Sequence, residues 1–218
     1  MKTGNLWRKR LGMLLAVAGL GLAAGCDEGD DDKKKPTDVG DNDINTVLCI
    51  GDSITDGECA PAGAPYPSRL AGLSGKRTIN EGVCGSTTAT GVGRIGTLLE
   101  RNNPGFVCIL YGINDLTFGR GRTEMLTNLR AMVQAAKGNK SVPILATLLP
   151  TYDSHGFIAG EVIKANDGIR QLARDEGARL CDLEQEFGAN RALIQPDGLH
   201  PSDSGNQVIA AAFNDKIY

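Results

Sequence analysis

Thr46-Val47-Leu48-Cys49-Ile50-Gly51-Asp52-Ser53-Ile54-Thr55-Asp56-Gly57 is the stretch that decides how this chain folds. Its first half is a short apolar run without alternation. That pattern marks a strand covered on both faces, as in a parallel sheet. Its second half is polar and flanked by glycine, which is the chemistry of a turn. A strand therefore ends where a hydroxyl, that of Ser53, opens the next loop. A nucleophilic serine needs a rigid, exposed point, and a strand-end turn supplies one. The same residues are equally ordinary turn chemistry, so this stretch alone does not decide function.

Moving outward, similar apolar runs recur at 77–83, 106–112, 143–149 and 179–183, after the first at 46–51. Between them lie helical patterns at about 65–73, 91–101, 123–137, 160–176 and 204–217. In the third of these, Met125, Leu126, Leu129, Met132, Val133 and Ala136 recur at three- and four-residue steps, the period of a helix with one buried face. Ser202 or Asp203 is placed to cap the last helix, and Gly138 and Gly177 to end two earlier ones. Strands alternating with helices, with no internal repeat, predict an α/β fold. The expected form is a three-layer α/β/α sandwich on a five-stranded parallel sheet with right-handed crossovers. In such sheets the functional loops gather beyond the carboxyl ends of the strands.

The chain has 218 residues, 23 basic and 26 acidic, for a net charge of −3. Residues 1–25 hold Lys2, Arg8, Lys9 and Arg10 and no acid, so the remainder carries 19 basic against 26 acidic residues, about −7. That sign argues against a nucleic-acid partner, which calls for a basic face. The basic cluster is followed by the apolar run 11–24, too short to span a bilayer, where roughly 18 residues are needed. Basic start, short apolar run and small residues read as a signal peptide over 1–25. The run ends at Leu22-Ala23-Ala24-Gly25-Cys26, which resembles a bacterial lipoprotein box with Cys26 lipidated. The common box has Leu three residues before the cysteine, where this chain has Ala23. Residues 26–45 are acidic and basic with few apolar side chains and are expected to be a disordered tether, leaving 46–218 as the folded domain. The expected location is the bacterial cell envelope, with the membrane met only through the N-terminal lipid.

Of the other cysteines, Cys49, Cys108 and Cys181 sit in apolar runs, where cysteine behaves as a small hydrophobe. Cys59 and Cys84 lie in loop-like, glycine-rich segments and are candidates for a disulfide in an oxidising compartment. No CxxC or Cys/His metal spacing occurs, and no metal or other cofactor is expected.

Three further segments carry chemistry. Gly112-Ile113-Asn114-Asp115 follows the third strand, and the Asn114 amide is a neutral donor suited to a developing oxyanion. Gly85, after the second strand, lets a backbone N–H approach a ligand closely. Asp197-Gly198-Leu199-His200-Pro201 sets a carboxylate three residues before one of only two histidines. A general base must be oriented through its other ring nitrogen, and Asp197 is placed to do so for His200. Each segment has a bland reading as a turn or loop. Together they supply a nucleophile, oxyanion donors and an oriented base. The G-x-S-x-G elbow of α/β-hydrolases is absent, and so are the glycine-rich pattern and Lys of a Walker phosphate loop, which a nucleotide binder of similar topology would need.

These segments resemble the blocks of the SGNH/GDSL hydrolases: G-D-S-[IL]-[ST]-x-G at 51–57, the second-block glycine at Gly85, G-x-N-D at 112–115 and D-x-x-H-P at 197–201. The resemblance covers about residues 46–218. It implies a flavodoxin-like sheet of order 2-1-3-4-5, a Ser53–His200–Asp197 triad and an oxyanion hole made by Ser53 N–H, Gly85 N–H and Asn114. Many members carry Ser before the second-block glycine, where this chain has Cys84. The implied activity is hydrolysis of carboxylic esters through an acyl-enzyme, with short acyl esters such as acetyl groups on carbohydrate as the expected substrates. A lysophospholipase or thioesterase of the same family, and a non-catalytic glycan-binding envelope lipoprotein, are the alternatives. Tyr66, Tyr111, Leu116, Phe118, Tyr152, His155 and Phe157 are candidates for lining the pocket.

Overall fold

A computed structural model describes residues 37–57 and 62–218. The proposed signal segment 1–25, Cys26, most of the tether and Cys59 lie outside the described residues. Five parallel strands form one sheet in the order β2-β1-β3-β4-β5, as expected. They are β1 (Asp43–Gly51), β2 (Arg77–Gly82), β3 (Pro104–Leu110), β4 (Val142–Ala146) and β5 (Arg179–Cys181). The longer helices are α2 (Tyr66–Ser74), α3 (Thr88–Asn102), α5 (Arg122–Gly138), α6 (Ala159–Glu176) and α8 (Asp203–Ile217). One layer holds α2 and α8, packed on each other; the other holds α3, α5 and α6. Single-turn helices α1 (Ser53–Asp56), α4 (Ile113–Thr117) and α7 (Leu183–Phe187) follow β1, β3 and β5.

The order places β1 inside the sheet, with β2 on one side and β3 on the other. Val47, Leu48, Cys49 and Ile50 are fully buried, as is most of β3 beside it. Cys49, Cys108 and Cys181 are free thiols within this core. The edge strand β2, Arg-Thr-Ile-Asn-Glu-Gly, is half exposed and mostly polar, unlike its covered neighbour β1. It holds its place through the ladder to β1, Thr46 to Arg77 through Gly51 to Gly82.

The fold starts earlier than the composition of 26–45 suggests. β1 begins at Asp43, Val39 is buried, and Arg179 Nη2 donates to Thr37 Oγ1 at 3.1 Å. Asn42 Nδ2 donates to Asn139 O at 2.6 Å and Asp43 N–H to Asn103 O at 2.9 Å. Polar residues can be ordered by main-chain and cap hydrogen bonds without burying apolar area, which the hydrophobic pattern cannot register. Other boundaries move for similar reasons. α3 begins at Thr88, not 91, because the Asp115 carboxylate accepts the Thr88 N–H at 2.9 Å. Gly138 is the last residue of α5 and not the residue after it, whereas Gly177 ends α6 with φ +66°.

Tyr66 and Tyr111, candidates for the pocket wall, are fully buried instead. Tyr66 stacks on Phe213 of α8 with centroids 5.3 Å apart, and its hydroxyl meets Thr55 Oγ1 at 3.1 Å. An aromatic ring buries enough apolar area to belong to the core when its polar end finds a partner there.

The carboxyl end of β4 is held by an amide acting as a strand partner. Asn166 of α6 is fully buried; its Oδ1 accepts Leu148 N–H at 2.7 Å and its Nδ2 donates to Leu148 O at 3.1 Å. Replacing it strands both main-chain groups away from water, each at roughly 1–3 kcal/mol. Asn166→Ala is therefore expected to lower unfolding free energy by roughly 2–5 kcal/mol in urea titration. A change under about 0.5 kcal/mol, as at an ordinary surface position, would show that those groups find other partners.

Candidate functional site

The register aligns the strand ends. Gly51 of β1 pairs with Gly82 of β2 and Leu110 of β3, so three loops leave the sheet at one level. Ser53, the segment 83–87 and Asn114 ride on those loops. β1 lies between β2 and β3, so its two neighbours are reached by connections in opposite directions, which is where crevices open in such sheets.

Ser53 begins α1, and Asp52 caps that turn by accepting Ile54 N–H at 3.0 Å. His200 arrives 147 residues later, with Nε2 2.9 Å from Ser53 Oγ. Its Nδ1 lies 2.6 Å from Asp197 Oδ2. An ionised carboxylate only accepts, so Nδ1 carries the proton and Nε2 is left to accept from the serine hydroxyl. Asp197 Oδ1 also accepts Leu199 N–H at 2.9 Å and His200 N–H at 3.1 Å, a local turn built from one side chain. Partial burial pushes the Asp197 carboxyl upward, but those N–H bonds and the His200 ring outweigh it and hold it below the ordinary value.

The loop bearing Asp197 and His200 is a small closed hairpin. Gln195 N–H donates to His200 O at 2.8 Å, Gly198 N–H to Gln195 O at 3.0 Å, and Ile194 bridges Pro201 in antiparallel fashion. Gly198 is required at its tip: φ is +76°, and a Cβ there would stand 2.0 Å from Tyr152 O. Ser202, the expected cap, accepts Gly205 N–H and starts α8.

Asn114 is buried and donates from Nδ2 to Ser86 O at 2.9 Å. That bond ties the third-strand loop to the second and leaves one further N–H on the amide. Gly85 has φ +69°, is exposed, and has open space where a Cβ would be. Cys84 is disulfide-bonded; with Cys59 outside the described residues, its expected pairing with Cys59 stands beyond them. Phe118 and Phe157 are 58% and 73% exposed on the loops after β3 and β4, Leu116 is buried in the core and not on a pocket wall, and Tyr152 and His155 are half-buried. Among the described residues no three His, Cys, Asp or Glu side chains group closely enough to hold a metal ion.

Two buried carboxylates beneath the site have no counterpart in the sequence reading. Asp115 accepts Thr88 N–H at 2.9 Å and Thr88 Oγ1 at 2.5 Å, and Asn128 Nδ2 donates on to Thr88 Oγ1 at 3.0 Å. Asp52 is buried with only main-chain help, and burial, reinforced by the charge of Asp115, pushes its carboxyl up to about 7. Both follow strand ends next to Ser53 and Asn114, but a polar residue in a turn gives no sign of being covered.

A family model described as the GDSL-like lipase/acylhydrolase family matches residues 49–208. Thioesterase 1/protease 1/lysophospholipase L1 of Escherichia coli (strain K12) is 27% identical over 170 residues, 76% of this chain and 80% of that protein. Acetylxylan esterase of Geobacillus stearothermophilus is 25% identical over 213 residues, 77% of this chain and 91% of that protein. A GDSL-like lipase from Bacteroides thetaiotaomicron has the same fold, with TM-score 0.66 at 22% identity over 80% of this chain and 88% of that one.

The raised Asp52 value has a definite sign for stability. Between its ordinary 3.8 and about 7 the folded state binds the proton and the unfolded chain does not, so this group's contribution falls as pH rises through that window. Asp52→Asn keeps an acceptor for Ile54 N–H and removes the charge. Its unfolding free energy relative to the unchanged protein should rise from pH 5 to pH 8 by an amount on the order of a few kcal/mol. A difference that stays flat across the range in paired denaturation curves would refute the buried-charge account.

Proposed function

As a member of the GDSL-like lipase/acylhydrolase family the chain is a carboxylic ester hydrolase, and we propose that Ser53, His200 and Asp197 carry its reaction. The observation that supports this most is the pair of bonds on one imidazole, 2.9 Å to Ser53 Oγ and 2.6 Å to Asp197 Oδ2. In this reading His200 Nε2 takes the Ser53 proton as Oγ attacks the ester carbonyl. Asp197 keeps the ring in the required tautomer and stabilises the imidazolium. The carbonyl oxygen becomes an oxyanion against Ser53 N–H, Gly85 N–H and the further N–H of Asn114. The imidazolium returns its proton to the leaving alcohol. Water then attacks the acyl-enzyme with His200 as base, which frees the acid and restores the Ser53 hydroxyl.

For the substrate we infer short acyl esters, acetyl groups on carbohydrate among them. One relative is named an acetylxylan esterase, which supports that reading. The exposed rings of Phe118 and Phe157 support the second reading, an acyl-chain substrate such as a lysophospholipid or thioester. Attachment to the cell envelope through Cys26 belongs to the same proposal and rests on the basic and apolar leader before it. Cys26→Ser should move the protein expressed in bacteria from the detergent phase to the aqueous phase of a Triton X-114 partition. Unchanged partitioning would discard the anchor.

Ser53→Ala should abolish both p-nitrophenyl acetate turnover and labelling by an organophosphonate. Asn114→Ala should leave a folded protein whose kcat is lower by ~10²–10³. Near-normal kcat in either variant removes that residue from the mechanism. Comparing acetylated xylan with a lysophospholipid on the full chain separates the two substrate readings.

A further inference from the structure

The hairpin that carries the acid and the base is gripped by one segment, residues 152–155 after β4. Tyr152 N–H donates to Gly198 O at 2.8 Å. Ser154 Oγ and His155 Nδ1 each reach the main-chain oxygen of Asp197 at 2.8 Å. A carbonyl oxygen only accepts, so the His155 proton sits on Nδ1, and the two lone pairs take the two donors. The segment is itself braced from the start of the hairpin. Arg191 Nε donates to Asp153 Oδ2 at 3.0 Å, its Nη1 to Ile194 O at 2.6 Å, and its guanidinium lies 5.3 Å from the Tyr152 ring centre.

The hydrogen bonds to the Asp197 carboxylate come from residues 199 and 200 of its own loop. The direction in which Oδ2 points is therefore set by the Asp197 main chain, and that main chain is fixed from outside the loop by Ser154 and His155. We propose that His155, with Ser154, is a positioning pair for ester hydrolysis: the two donors on Asp197 O hold the carboxylate against His200 Nδ1. This rests on the triad assigned above. His155 acts through Asp197 and gives the second histidine of the chain a role in the same reaction as the first. Two donors on one acceptor make the position redundant, so each single loss is partly covered by the other.

The test is a variant series on the full chain with p-nitrophenyl acetate. A misplacement of about 1 Å costs up to ~10²-fold, so His155→Leu combined with Ser154→Ala should lower kcat roughly 10- to 100-fold while KM stays within about twofold. His155→Asn presents an amide N–H where Nδ1 stands and should restore most of kcat in either background; a merely space-filling role would not respond to it. The downfield proton resonance of His200 Nδ1–H should weaken in the double variant and return with Asn. Thermal melting of each variant reports whether it is folded, and Ser154→Ala alone, with a smaller loss in kcat, serves if the double variant does not fold. Turnover at the normal rate in the folded double variant, or a change in KM with no rescue by Asn, overturns the proposal. If Ser53→Ala remains active, the triad itself has failed; if it is inactive while the double variant is normal, only the positioning role has failed.

Discussion

One imidazole held between two partners is the constraint on which the rest of this structure depends. His200 must face Ser53 with one nitrogen and Asp197 with the other, and the two bonds span 147 and three residues of chain. Asp197 is local and can be oriented by a turn. Ser53 is not, so the whole domain has to bring the end of β1 to the loop before α8. It does so through the core. Tyr66, at the start of the helix that follows the Ser53 loop, stacks on Phe213 of α8. Tyr66 N–H also donates to Asn206 Oδ1 of α8 at 3.1 Å. The element after the nucleophile and the element after the base are thus fastened by an aromatic contact and a buried hydrogen bond. Closing a long stretch of chain adds only slowly to the entropic cost, so a few such contacts are enough to fix the distance.

Beneath the reacting side chains lies a polar layer that ties the loops to one another. Asp115 fixes the start of α3 through Thr88, and Asn114 beside it fixes the preceding turn through Ser86 O. Two consecutive residues after β3 thereby lock the loop after β2. Asp52 sits in the same layer with fewer partners, which is why burial weighs so heavily on it. Low dielectric strengthens satisfied bonds and penalises unsatisfied charge, so this layer combines rigidity with some lost stability. A site that must hold its donors ready for a transient oxyanion gains more from rigidity.

The sheet and its helices could be read directly from hydrophobic pattern. Val47 to Ile50 and the core of β3 are continuous apolar runs, and Met125 to Ala136 keeps a helical period, because burial of apolar area drives both. The reading failed where order comes from polar groups. Asp43 to Asn45 extend β1 with side chains in solvent, and β2, a strand where one was expected, is a half-exposed, mostly polar edge where cover on both faces was expected. Tyr66 and Tyr111, placed at the pocket by their position in loops, are core residues because their hydroxyls find Thr55 and Ser86.

The chain by itself determined which residue types stand at which strand ends: a serine after β1, glycine after β2, an amide after β3, and a carboxylate three residues from a histidine near the close. Those are matters of order along a sequence, and a strand's carboxyl end is a place that order can specify. Only the tertiary structure decided that Ser154 and His155 meet the Asp197 carbonyl, that Asp52 and Asp115 are covered, and that Thr37 to Asn42 belong to the fold. The contacts of Ser154, His155, Asp115 and Thr37 are hydrogen bonds between distant polar groups, and the cover over Asp52 is packing. Such bonds leave no periodic trace, because water satisfies the same groups equally well until packing excludes it.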